Sequence, residues 1–226
     1  FAPAGGIAAV LYNYQQMGQK MFETVIFDFG GVLLLQPTGA EIVAWLGQLG
    51  VPLEDPVAKT LLNPSESALF WDLMRGRVSE RHFWEETARA WKLPPETVEA
   101  GLSQISAPVN LNRPLVDYLE GLQGKFTLGI LSNAGDSTRQ AVLNINQFDR
   151  IVKDIIISAE EGFVKPEPEI YQIALKRLGA RAESTVFVDD LPENIAAAQA
   201  LGITGVWHQD NATTLRQLDQ LLFGEG

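Results

Sequence analysis

Short apolar runs alternate with helical patterns along most of this chain. Each run is continuously hydrophobic, which is typical of strands that are covered on both faces of a parallel sheet. The segments between the runs begin at capping or proline positions and end near glycines, as helices do. Strand and helix alternating in this way predict a doubly wound α/β fold with a parallel sheet. The predicted strands are 24–27, 126–131, 154–158, 185–188 and, more weakly, 205–207.

One stretch departs from this alternation. Between residues 36 and 111 we find no convincing strand pattern, and the apolar positions follow helical spacing. We therefore expect a helical insertion, residues 36–111, between the first strand and the rest of the sheet. Residues 21–35 and 112–226 then form the α/β core. Helices within the insertion are predicted to begin near Thr38, Ser65, Ser79 and Pro95, the last including Val98, Leu102 and Ile105.

The helical insertion is rich in tryptophan. Aromatic residues at helical spacing most often fill a core, so we expect its tryptophans to pack inside the insertion. The alternative is that one of them lines a substrate pocket. The residues concerned are Trp45, Trp71, Trp84 and Trp91.

The first twenty residues fit neither pattern. They begin without Met and lack the basic region that opens a signal peptide. Met21 directly precedes the first predicted strand, so we expect it to be the natural start and residues 1–20 to be a leader or an added arm. A native arm is the alternative. Because no signal peptide is recognisable and no apolar run nears the 20 residues that a membrane span needs, we expect a cytoplasmic protein.

Composition narrows the chemistry that the chain can perform. Apolar residues make up 46% and charged residues 20%, as in ordinary globular proteins. The absence of cysteine excludes disulfides, thiolate catalysis and cysteine-ligated zinc, and two histidines cannot form a histidine-rich metal site. A net charge of −11 disfavours nucleic-acid and membrane-surface partners. Carboxylates, hydroxyls, amines and backbone groups remain as the reactive groups.

Such groups follow the predicted strands. In open α/β sheets, ligands bind beyond the carboxyl ends of the strands. Carboxylates there can hold Mg²⁺, while a lysine, a hydroxyl and N–H groups can neutralise and hold a phosphoryl group. A carboxylate facing phosphorus can also act as a nucleophile and form an aspartyl-phosphate. The candidates are Asp28, Ser132, Asn133, Lys165, Asp189 and Asp190, and we expect Asn194 to order the last two by a local hydrogen bond.

Four short motifs occur in order, each at the end of a predicted strand or in the loop after it. They are Phe27-Asp28-Phe29-Gly30-Gly31-Val32, Leu131-Ser132-Asn133, Lys165-Pro166 and Val188-Asp189-Asp190. From about Glu23 to Trp207, this order resembles the haloacid-dehalogenase-like hydrolase superfamily. The resemblance implies a Rossmann-like parallel sheet with the helical insertion as its cap. The run from Phe70 to Trp84 is similar to that of sugar-phosphate phosphatases and of the amino-terminal phosphatase domain of soluble epoxide hydrolase.

The resemblance also implies a role for each candidate residue. Asp28 would be the nucleophile, and Ser132, the N–H of Asn133 and Lys165 would hold the transferring phosphoryl group, with Ser132 and Lys165 counted as catalytic. The metal site would use Mg²⁺ as cofactor and would consist of Asp28, the Gly30 carbonyl, Asp190 and, directly or indirectly, Asp189.

Position 30 departs from the superfamily pattern. Most of its phosphatases carry a second aspartate two residues after the nucleophile, as general acid and base, where this chain has Gly30. The backbone carbonyl of Gly30 can still contact the metal, but glycine cannot act as a general acid or base. General acid–base catalysis is typically worth about 10²–10⁴-fold in rate. The missing aspartate implies one of three things: activity is low, the substrate has a good leaving group, or another residue takes over the role. By motif position, Glu193 and Asp136 are the nearest substitutes.

Three functions remain open. The four motifs favour a Mg²⁺-dependent phosphatase that acts on a small phosphorylated metabolite as a monomer or homodimer. A 2-haloacid dehalogenase is an alternative that Gly30 fits, but the Asp189–Asp190 pair would repel its carboxylate substrate. The third function is a non-catalytic domain that binds a phosphorylated ligand or another protein.

Overall fold

Five parallel strands form the central sheet. The structure, a computed structural model, describes residues 21–98, 100 and 111–224. The strands are β1 (Thr24–Phe27), β2 (Thr127–Ser132), β3 (Asp154–Ile157), β4 (Thr185–Asp189) and β5 (Thr204–Trp207). Their order across the sheet is β3-β2-β1-β4-β5, and every neighbouring pair is parallel. The predicted doubly wound α/β sheet is thereby confirmed.

Helices connect the strands and also fill the segment after β1. They are α1 (Gly39–Leu49), α2 (Pro56–Leu62), α3 (Ala68–Met74), α4 (Glu80–Ala90), α5 (Arg113–Gly121), α6 (Thr138–Asn146), α7 (Ser158–Glu161), α8 (Pro168–Leu178), α9 (Pro192–Ala200) and α10 (Asn211–Phe223). Among the described residues, no helix combines the length and the hydrophobicity that a membrane span requires.

Both faces of the sheet are covered, which explains the continuous hydrophobicity of its strands. Successive residues of a strand point to opposite faces. Val25 and Phe27 of β1 therefore join a core with helices α5, α6 and α10, whereas Ile26 joins a second core with α8 and α9. The helices on both faces hold the carboxyl ends of the strands in fixed positions.

The described part of the helical insertion contains α1 to α4 and no strand of the sheet. Trp45 is 2% exposed in a separate apolar cluster of this segment, and its ring lies edge-on to Trp91 with centroids 6.0 Å apart. Several contacts join the insertion to the sheet domain, two of them at the end of α3. The Ser158 hydroxyl donates to the Met74 carbonyl at 2.7 Å, and Arg75 forms an ion pair with Glu167 at 2.5 Å.

Helix α2 is the main element that the sequence analysis missed. Its seven residues make fewer than two turns, too few for a clear apolar period. The available signal was the Asp55-Pro56 pair, since Asp55 caps the helix by accepting from the Val57 and Ala58 N–H groups. Two expectations lie outside the described residues, namely the arm at residues 1–20 and the end of the helix that begins at Pro95.

Candidate active site

The predicted polar residues meet where β1 and β4 end. These strands are neighbours in the sheet, but the chain continues from β1 towards β2 on one side and from β4 towards β5 on the other. The two connections diverge and leave a crevice beyond the strand ends, which is the usual ligand site of an open α/β sheet. Asp28 directly follows β1, whereas Asp189 ends β4 and Asp190 follows it.

A buried ammonium group connects two of these carboxylates. Lys165 Nζ lies 2.8 Å from Asp28 Oδ1 and 2.7 Å from Asp189 Oδ2, and it donates to the Leu131 carbonyl at 3.2 Å. The Lys165 side chain is only 1% exposed. A charge buried this deeply requires ionic partners, because without them desolvation would favour the neutral amine. Lys165 is therefore an interior cation fixed between two acids.

Asn133 holds the backbone of Lys165 in place. Its Oδ1 accepts from the Lys165 N–H at 2.8 Å, and its Nδ2 donates to the Lys165 carbonyl at 2.9 Å. The family resemblance predicts a function only for the backbone N–H of Asn133. The side-chain contact has no local signal, because its partner is 32 residues further along the chain.

Both carboxylate oxygens of Asp189 accept hydrogen bonds. Oδ2 faces Lys165, while Oδ1 accepts from the Leu191 N–H at 2.8 Å and from Asn194 Nδ2 at 2.9 Å. The expected ordering of this loop by Asn194 is confirmed. Asp189 is fully buried and Asp190 is half-buried, so the two adjacent acids have different surroundings.

Asp28, Asp189 and Asp190 each place a carboxylate oxygen within 4.8 Å of the others. Burial raises the pKa of Asp28 to about 8, against the attraction of Lys165 and with further help from the charge of Asp189. Burial and Asp189 also raise the pKa of Asp190. Burial would lower the pKa of Lys165, but Asp28 and Asp189 outweigh it and raise that pKa. One ammonium among three carboxylates leaves an excess of negative charge, which suits a divalent cation with oxygen ligands such as Mg²⁺.

The loop after Asp28 reverses direction within a few residues. The Phe29 carbonyl accepts from the N–H groups of Leu33 and Leu34, at 2.9 and 2.7 Å. Gly31 has a φ of +85°, and a Cβ built on it would lie 2.4 Å from Asp190 Oδ2. Only glycine allows both this backbone conformation and this close approach to the carboxylate.

Gly30 differs from Gly31 because its backbone lies outside the left-handed region. A Cβ built on Gly30 would lie 2.2 Å from Nε2 of Gln36, so the Gln36 amide occupies the space beside position 30. Gln36 is not among the site residues that the sequence predicts, since nothing in its local pattern marks it. Of the two suggested acid–base substitutes, Glu193 lines the cavity, whereas Asp136 accepts from the Glu80 N–H at the start of α4.

A cavity of about 680 Å³ extends from the strand ends to the helical insertion. Its polar end includes Asp28, Ser132, Asn133, Lys165 and Asp190. Apolar and aromatic side chains form much of the remaining wall, among them Phe29, Leu34, Pro64, Phe70, Trp71 and Leu191. The cavity is therefore much larger than a phosphate ion and offers an apolar surface next to the acidic cluster. Trp71 lines this cavity, as the alternative prediction for the tryptophans of the insertion requires of one of them.

Mg²⁺ should stabilise the protein more strongly at about pH 8 than at about pH 5. The folded-state pKa of Asp28, about 8, lies above its ordinary value of 3.8. Between these values the folded protein holds a proton that the unfolded chain releases, so the stability of the metal-free protein falls as pH rises. A cation competes with that proton, and its stabilising effect grows with pH. Tm measured with Mg²⁺ and with EDTA across this range checks the prediction, and a pH-independent shift would contradict it.

A family model of haloacid dehalogenase-like hydrolases matches residues 22–202 of this chain. Mouse acyl-CoA dehydrogenase family member 10 is 30% identical over 222 residues, 93% of this chain but 20% of the relative, so the chain spans about a fifth of that protein. A sesquiterpene phosphatase of Aspergillus oryzae is 27% identical over 89% of this chain and 97% of its own length.

Solved structures agree with this match. A predicted HAD-like family hydrolase from Porphyromonas gingivalis superimposes with a TM-score of 0.74 at 25% identity, over 91% of this chain and all of its own. A HAD family enzyme from Bacteroides thetaiotaomicron, solved with magnesium and inorganic phosphate, has a TM-score of 0.70 at 20% identity and covers 83% of this chain and 94% of its own. The family model covers well over half of the chain, including strands β1 to β4, and the chain belongs to the haloacid dehalogenase-like hydrolases.

Proposed function

We propose that this protein is a Mg²⁺-dependent phosphatase that hydrolyses a small phosphorylated metabolite through an aspartyl-phosphate on Asp28. One observation carries the proposal. The Asp28 carboxylate lies at the polar end of a large cavity, with a buried lysine on one oxygen and two further aspartates beside it. Phosphatase names among the relatives and a neighbour solved with magnesium and phosphate support it.

The donor set fits a magnesium ion. Asp28, Asp190 and the Gly30 carbonyl would hold it, while Asp189, whose oxygens already accept hydrogen bonds, would position Lys165. When bound, Mg²⁺ would supply positive charge that neutralises the phosphoryl oxygens. The need for it is large because the chain carries a net charge of −11. We expect activity to depend steeply on the metal.

Residues of the chain supply the nucleophile and bind the phosphoryl group. Lys165 and the Phe29 N–H both contact Oδ1 of Asp28, which leaves Oδ2 as the attacking oxygen. Ser132 and the N–H of Asn133 hold the phosphoryl oxygens. The bond from Asp28 to phosphorus forms as the ester bond breaks, and water then attacks phosphorus and releases Asp28 with inorganic phosphate.

The helical insertion acts as a cap that selects the substrate. It contributes Pro64, Phe70 and Trp71 to the cavity wall, which also includes Leu191 of the sheet domain. A surface of this kind favours an apolar alcohol as leaving group over a sugar, because burying unpaired hydroxyls there is costly. The relative named as a sesquiterpene phosphatase is consistent with this preference.

A panel of phosphate monoesters tests the function and the substrate class together. With Mg²⁺, we expect phosphate release from esters of apolar alcohols, at least about 10-fold faster than from sugar phosphates, since one lost apolar contact or one unpaired polar group is worth about that factor. EDTA should stop the reaction and Mg²⁺ should restore it. Halide release from 2-haloacids without metal would favour a dehalogenase instead. Binding of Mg²⁺ and phosphate without turnover across the panel would favour a ligand-binding domain.

A further inference from the structure

We propose that the side-chain amide of Gln36, which lies beside position 30, contacts the leaving-group oxygen and then the attacking water. The inference rests on the proposed phosphatase function. Its first support is steric, because a Cβ on Gly30 would lie 2.2 Å from Gln36 Nε2. The amide of Gln36 thus occupies the space in which a side chain at position 30 would begin.

The turn after Asp28 brings Gln36 to this place. Leu34 accepts from the Gly31 N–H at 2.7 Å and forms bridges with Gly30 and with Leu111. These contacts direct the chain back along Gly30, so that residue 36 lies next to residue 30 at the rim of the cavity. Gln36, Gly30 and Asp28 all line that cavity.

The amide is available for a ligand. Within the part of the chain that the structure describes, the Gln36 side chain makes no hydrogen bond, and it is exposed to solvent. Its two N–H donors and one carbonyl acceptor can therefore contact a substrate oxygen or a water without breaking an internal contact.

An amide can serve both halves of the reaction without transferring a proton. In the first half, Asp28 Oδ2 bonds to phosphorus and the electron pair of the ester bond moves to the leaving oxygen. A Gln36 N–H stabilises the charge on that oxygen, and solvent supplies the proton that completes the alcohol. In the second half, Gln36 Oε1 orients a water whose oxygen bonds to phosphorus. The Asp28–phosphorus bond breaks, the electron pair returns to Asp28, and the proton of the water passes to solvent.

Besides Asp28 and Asp190, two acidic residues line the cavity, Glu80 and Glu193. Glu80 accepts a hydrogen bond from the Ser137 hydroxyl, so its carboxylate is engaged on the wall formed by the loop after β2. Glu193 lies in the first turn of α9, beyond Asp190, and is exposed. Neither Glu80 nor Glu193 occupies the space beside Gly30, since the atom nearest to a Cβ built there is Nε2 of Gln36.

The test compares Gln36→Ala with Gln217→Ala, an exposed glutamine on α10 outside the cavity lining. Each variant is assayed with two esters of similar shape, an aryl phosphate with an acidic phenol and an alkyl phosphate. We expect kcat/KM for the alkyl ester to fall by about 3–10-fold in Gln36→Ala, the value of one hydrogen bond, and by less than about twofold for the aryl ester. Equal losses for both esters, or none, would overturn the proposal.

A binding measurement separates this inference from the proposed function. Vanadate with Mg²⁺ mimics the five-coordinate phosphorus and carries an oxygen at the leaving position, whereas inorganic phosphate does not. Titration calorimetry should show vanadate binding weakened by about 3–10-fold in Gln36→Ala, with phosphate binding changed by less than about twofold.

The outcomes are distinguishable. A wild-type protein that releases no phosphate from any ester defeats the proposed function, and the vanadate comparison still decides whether Gln36 contacts the apical oxygen. Equal affinities in Gln36→Ala and wild type would overturn the inference even where the wild-type enzyme is active. A Glu193→Gln variant that loses alkyl-ester activity, beside an unaffected Gln36→Ala, would also overturn it and assign the role to Glu193.

Discussion

Asp28→Asn is expected to abolish phosphate release while the protein remains folded. An asparagine amide has nearly the size of the carboxylate but does not attack phosphorus, so the first half-reaction has no nucleophile. Removing a nucleophile from a comparable covalent mechanism costs about 10⁶-fold in kcat, and we expect a loss of at least about 10³-fold here. Phosphate release under saturating Mg²⁺ measures it, and full activity in the variant would rule out the aspartyl-phosphate.

Asp28→Asn also breaks an ion pair with the buried Lys165, so a matched control is needed. Asp154→Asn removes a carboxylate paired with Arg177 at 2.7 Å, at the start of β3 and away from the cavity lining. It should lose some stability but keep its activity. In the wild-type protein, quenching with acid during turnover should trap a phosphoryl group on the peptide that contains Asp28, and hydroxylamine should remove it. Finding the group elsewhere would sink the assignment independently of any variant.

The sequence predicts the site well where it depends on strand ends. The β1, β2 and β4 runs are continuously apolar, so their positions are readable, and parallel strands place their carboxyl ends at one edge. Asp28, Ser132 and Asp189 therefore come together without any knowledge of side-chain packing. Because Asn194 lies five residues from Asp189, its hydrogen bond is also a local feature that the sequence can indicate.

The remaining features depend on distant parts of the chain meeting in space. The side-chain bonds of Asn133 join it to a residue 32 positions away, and the cavity wall combines Phe70 and Trp71 of the insertion with Leu191 after β4. The contact between Gln36 and Gly30 depends on how tightly the loop after Asp28 turns, which no propensity scale contains. Loop geometry of this kind is decided by a few hydrogen bonds and by the steric freedom of Gly31.

Gly30→Asp should increase the activity towards alkyl phosphates by about 10²-fold or more, the lower end of what general acid–base catalysis supplies. The backbone at position 30 accepts a side chain, because its φ lies outside the region reserved for glycine. The atom in the way is the end of the flexible Gln36 side chain, which can rotate towards solvent. The gain should be smallest for aryl phosphates, whose leaving groups need no proton, and kcat/KM for the two ester classes measures it.

Two controls separate proton transfer from simple filling of space. Gly30→Asn introduces the same volume with an amide instead of an acid, so it should displace Gln36 but keep alkyl-ester activity near the wild-type level, because one amide takes the place of the other. The double variant of Gly30→Asp and Gln36→Ala should be as active as Gly30→Asp alone, because the new carboxyl group has taken over the position of the amide. Equal activity of Gly30→Asp and Gly30→Asn would show that position 30 does not face the leaving group. If the double variant instead shows the gain of Gly30→Asp reduced by the full loss of Gln36→Ala, Gln36 works at a different point of the cavity.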